Sequence, residues 1–116
     1  MILFRIQVEV RVHPAHVELA CSGKYSRSEA FRVAEQAFKE AAGAGRRNVL
    51  LDVRGVSGRV PTILDRFDLA VHIARLQTEH TPRIRVALLG QEPMIHADRF
   101  GEIVARNRGA DVRVFT

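Results

Sequence analysis

The chain has 116 residues, 47% hydrophobic and 27% charged, with one cysteine and a formal charge of +5. That length supports a single core without metal or disulfide help, and that mix excludes wholesale disorder. No apolar run approaches the roughly 20 residues of a membrane-spanning helix.

The first residues lack the basic leader, apolar stretch and cleavage site of a signal peptide. A lone Cys21 excludes an internal disulfide and fits a reducing compartment. The expectation is a cytoplasmic protein of one domain, residues 1–116.

Residues 4–12 alternate strictly, with Phe4, Ile6, Val8, Val10 and Val12 on one face, the period of a strand with one wet side. His13-Pro14-Ala15-His16 makes a turn, and Val17, Leu19 and Cys21 continue as an antiparallel second strand. Ser26, with Glu29 three positions on, is a capping-box signal. Behind it Phe31, Ala34, Phe38 and Ala41 recur at helical spacing until Gly43 and Gly45. Asn48 to Val53 shows no alternation and predicts a central parallel strand buried on both faces.

A loop from Arg54 to Val60 leads to Pro61, suited to the first turn of a helix over 61–78. Its main apolar face is expected on Ile63, Leu64, Phe67, Ala70, Val71 and Ala74. Leu69, Ile73 and Leu76 form a second, narrow stripe bordered by Asp65 and His72. A helix resting on one sheet does not need two stripes, so the second is either core, covered by the connection after the first helix or by the fifth-strand region, or an exposed patch for a partner or a second copy.

Residues 83–89 form the fourth strand. Phe100, Ile103 and Val104 mark a short third helix stopped by Gly109, and Asp111 to Phe115 the fifth strand. The order β-β-α-β-α-β-α-β predicts a mixed α/β sheet, parallel from the second strand onward with the first attached as a hairpin.

That order resembles the STAS superfamily, and within it the SpoIIAA-like branch described as STAS/SEC14-like. The strings that carry the resemblance are Val49-Leu50-Leu51-Asp52-Val53-Arg54-Gly55, Leu64-Asp65-Arg66-Phe67-Asp68-Leu69-Ala70, Arg85-Val86-Ala87-Leu88-Leu89, and Phe100-Gly101-Glu102 through Arg108-Gly109 into Val112-Arg113-Val114-Phe115. The resemblance implies a protein-binding module, with binding switched by phosphorylation of a Ser or Thr between the third strand and the following helix. The family's Asp-Ser-Ser/Thr-Gly signature is replaced here by Gly58-Arg59-Val60-Pro61-Thr62, which leaves Ser57 and Thr62 as the hydroxyls able to take that role. Members also close with another helix, whereas this sequence stops at Thr116. The expectation is either that this helix is lost or that the surface it would cover meets a partner subunit or a ligand.

Other chemistry is thin. Asp52 lies near the carboxyl end of a central strand, where open α/β sheets bind ligands, with Arg54, Gly55 and Gly58 in the loop beyond it. Asp65 and Asp68, three apart around Arg66, read as a helix-dipole partner and a surface ion pair. The histidines offer no converging ligand set, so no metal or cofactor is expected. There is no Gly-x-Ser-x-Gly elbow and no phosphate loop, and the basic residues are dispersed, so neither an enzyme nor a specific nucleic-acid binder is expected.

The sequence therefore points to a non-enzymatic, anti-sigma-factor-antagonist-like interaction module, a homodimer, binding protein through its second helix and the loop before it. The surface residues are expected to be Leu69, His72, Ile73 and Leu76. The alternative is a SEC14-like carrier of a lipid or other small apolar molecule.

Overall fold

In the computed structural model, residues 5–96 and 98–116 are described. The elements are β1 (Gln7–Val12), β2 (Val17–Lys24), α1 (Arg27–Gly43), β3 (Asn48–Ser57), α2 (Ile63–Thr78), β4 (Arg85–Leu89), α3 (Phe100–Asn107) and β5 (Asp111–Phe115). This is the expected order. Phe4, placed by its alternation on the buried face of the first strand, lies outside the described residues.

The strands form one sheet in the order β1-β2-β3-β4-β5. β1 pairs antiparallel with β2, and the remaining neighbours are parallel. Crossovers between parallel strands are right-handed, and here each steps to the next strand in the same direction. Successive steps of one hand and one direction put every helix on the same face. α2 accordingly packs between α1 and α3.

That topology corrects one expectation. β3 is covered on one face: Val49 and Leu51 are buried, while Leu50 and Asp52 on the other face are partly exposed. β3 also runs on to Ser57, so Arg54, Gly55 and Ser57 are strand residues, not loop. The extension passes through a bulge in β3, where the residues between Asp52 and Gly55 face only Cys21 of β2, so that Ser22 pairs with Gly55 and Lys24 with Ser57. Gly55 is required there, because a Cβ would stand 2.8 Å from the Cys21 carbonyl oxygen.

Phe38, Leu19 and Val17 are fully buried between α1 and the sheet. Ser26 caps α1 by accepting the Glu29 N–H at 3.2 Å, but the Glu29 carboxylate turns away and accepts the N–H of Ile6 at 2.7 Å. The helix ends in a Schellman arrangement. Gly45 at φ +68° supplies the left-handed residue, with its N–H on Ala42 and that of Arg46 on Ala41. The buried Gln77 amide, in the orientation that satisfies both its ends, meets the C=O and N–H of Ile84 at 2.6 and 3.0 Å.

α2 begins at Ile63, two residues later than its Pro61 suggests, because Thr62 is the cap. Its hydroxyl accepts the Asp65 N–H at 3.0 Å, and the Asp65 carboxylate accepts the Thr62 N–H at 3.1 Å. This is a complete capping box.

Candidate functional site

The main apolar face expected of α2 is buried beyond its first turn, with Ala70 and Ala74 in the core and Phe67 and Val71 packed against it, but the second stripe is buried as well. Ile73 and Leu76 are buried, and Leu69 packs partly buried against the core. The second stripe is therefore core, because a helix with neighbours on both sides and a sheet beneath buries a wide arc. His72 is also enclosed: its ring stacks on Phe31 at 4.6 Å and its Nε2 lies 3.1 Å from Glu35 Oε1. These four residues join α2 to its surroundings and do not form a free face.

The exposed apolar residues of this region lie at the head of α2. Val60, Ile63 and Leu64 are 46%, 73% and 66% exposed. They sit beside Pro61 in one short stretch above the carboxyl ends of β3 and β4. Periodicity had assigned Ile63 and Leu64 to the buried face. The usable signal is their place in the first turn, immediately after the Thr62 cap.

The polar residues around this patch are mutually engaged. Asp65 is held below the usual carboxylate range, first by the Thr62 N–H and then by Tyr25 and Arg59. Arg59 approaches Asp65 at 3.3 Å and lies 5.2 Å over the Tyr25 ring. Burial and the Asp65 carboxylate push the Tyr25 phenol up to about 12. Thr62 and Ser57 are both exposed, Thr62 at the N-terminus of α2 and Ser57 at the last residue of β3. Gly58 follows with φ +98°, its position close against Lys24.

Asp52 and Arg54 stand apart from this region. Asp52 points to the sheet face opposite Leu51 and accepts Arg54 Nη2 at 2.8 Å and Nε at 3.0 Å. That pairing holds the Asp52 carboxyl below its ordinary value. Asp68 is likewise paired, to Arg27 at 2.9 Å. Among the described residues, no group of three or more His, Cys, Asp or Glu could hold a metal ion. Cys21 is buried, and burial pushes its thiol up to about 11, which removes it from nucleophilic chemistry near neutrality.

A cavity of about 170 Å³ lies between the sheet and the helices, with Pro61 and Asp65 among its lining residues. Its walls include Val53, Val56 and Leu88 from the sheet and Ala34, Leu69 and Ala70 from the helices, near the carboxyl ends of the parallel strands. Arg66, Arg99 and His96 also line it. Arg66 Nη2 donates to the carbonyls of Pro93 and Met94, at 2.9 and 3.4 Å, and so ties down the loop before α3. Its Nε is buried without a hydrogen-bond partner. A donor left so costs about 1–3 kcal/mol.

The comparisons bear on the fold. The chain matches the crystal structure of an anti-sigma factor antagonist from Mycobacterium paratuberculosis with a TM-score of 0.56 and 13% identity, over 92% of this chain and 84% of that one. The likeness is one of fold, a five-stranded mixed sheet with three helices, and it agrees with the fold that the resemblance in the sequence implies. No protein-family model matches the chain, and no curated protein matches it. No helix among the described residues is long and apolar enough to cross a membrane.

Proposed function

We propose that this protein is a non-enzymatic regulatory module that binds a protein partner through the head of α2 and the loop before it. The observation that carries this reading is the exposure of Val60, Ile63 and Leu64 together, on a helix whose later apolar residues are covered. Clustered apolar side chains at a surface mark partner contacts more often than scattered ones do. A second copy of the chain docks on the same patch, which gives the homodimer.

Ser57 and Thr62 flank the patch and are its candidate phosphorylation sites. A phosphate adds about −1.5 to −2 charges. On Thr62 it would stand against the Asp65 carboxylate that closes the capping box, and on either residue it would charge the rim of an apolar contact. Phosphorylation at this place therefore releases the partner.

Light scattering over a range of concentrations tests the dimer. The mass of the wild type should rise with concentration, and Ile63→Asp combined with Leu64→Asp should hold it at the monomer with unchanged thermal unfolding. Equal masses for the two proteins at every concentration would sink the patch as a self-association surface.

The cavity favours a second reading, a carrier of a small apolar molecule. Its volume is close to that of an engineered cavity of about 150 Å³ that takes up benzene. Native mass spectrometry after mild purification should show an added small mass, and a clean apo mass would count against a carrier.

A further inference from the structure

Resting on the carrier reading, we infer that the ligand is a small apolar carboxylate, its body in the cavity and its anionic head on the guanidinium groups of Arg66 and Arg99. The walls set the body. They are predominantly aliphatic, and the volume of about 170 Å³ suits a body of about benzene's size, such as hexanoate or benzoate.

The charged residues of the lining set the head. Asp65 is capped by the Thr62 N–H and paired with Arg59, and Glu102 turns towards β5, where it accepts the Val114 N–H at 2.8 Å. His96 pairs with Asp98 at 3.4 Å. The two arginines differ. Arg66 uses Nη2 on loop carbonyls and keeps a buried Nε–H with no acceptor. The Arg99 side chain has no ion-pair partner among the described residues, and its backbone sits at φ +57° where α3 begins. Both line the cavity, one from α2 and the other from the start of α3. A carboxylate between them would give the Arg66 Nε–H its missing acceptor in a charge-assisted bond.

The test is calorimetric titration of the full chain with hexanoate and with hexanol near neutral pH. Hexanoate should bind about tenfold more tightly than hexanol, the value of one charge-assisted hydrogen bond. Arg66→Leu and Arg99→Ala should each bring hexanoate towards hexanol, while Arg66→Lys should retain part of the preference. Equal affinities for acid and alcohol would overturn the carboxylate and leave the carrier standing. Failure of both to bind at millimolar concentration would overturn both. Because Arg66 also holds a loop, amide shift mapping on the wild type supplies a second readout. Shifts at Ala34, Val53 and Leu69 place hexanoate in the cavity, and shifts confined to surface arginines overturn the proposal.

Discussion

Glu29 and Ile6 are joined across the fold by a hydrogen bond of 2.7 Å from the Ile6 N–H to Glu29 Oε1. The Ile6 carbonyl in turn accepts Arg32 Nη2 at 2.7 Å, and Arg32 pairs with Glu29 at 2.9 Å. Two side chains of α1 thus satisfy both polar groups of the residue that leads into the edge strand. The Glu29 side chain is 12% exposed, so the clamp works largely out of solvent.

Glu29→Gln should cost up to about 1.5–3 kcal/mol in urea unfolding at neutral pH, the range for hydrogen bonds to a charged group. Hydrogen bonding from Arg32 holds the Glu29 carboxyl below its ordinary value. A depressed folded pKa contributes stability that is fully present above the unfolded value of about 4.3 and is lost as pH falls through the folded one. The gap between wild type and variant should therefore narrow in acid. A gap that stayed constant down to about pH 3 would contradict the charge-assisted clamp.

Ile73 and Ile63 belong to the same helix but to opposite environments, 8% and 73% exposed. Ile73→Ala should destabilise by about 2–4 kcal/mol, because it removes packed methylenes and leaves space behind. Ile63→Ala should stay within about 0.5 kcal/mol. Denaturant midpoints decide between the two. The reverse ranking would mean that the first turn of α2 is covered and its second stripe is not.

Gly55→Ala tests the register shift. The new methyl would lie 2.8 Å from the Cys21 carbonyl oxygen and 3.0 Å from Ser22 Cβ, neighbours fixed in β2. The strands would have to part, and a loss of about 1–3 kcal/mol is expected. An unchanged melting temperature would show that the pairing of Ser22 with Gly55 is not as described.

Much of the fold is legible locally. The alternation from Ile6 to Val12, the cap at Ser26 and the glycine at position 45 mark where elements begin and end, because each depends on a few neighbouring residues. The length of β3 is not legible in that way. Its last residues, Val56 and Ser57, pair with Gly23 and Lys24 across an extra residue between Asp52 and Gly55, which shows itself only against the partner strand β2. The same holds for Glu29, which reads as half of a capping box and instead bonds a residue 23 positions away.

The sequence by itself determined the order of the elements, the antiparallel first strand and the weight placed on α2 and the loop before it. Periodicity shows that a helix has apolar stripes, but it does not say which neighbour covers each one. Three crossovers stepping the same way gathered the helices on one face and placed α2 in the middle. That arrangement buried Ile73 and Leu76, enclosed His72 and left Val60, Ile63 and Leu64 outside. It also left a gap between sheet and helices that brings Arg66 and Arg99 to one cavity from different elements. Contacts between residues so far apart in the chain are set by topology, and no local pattern records them.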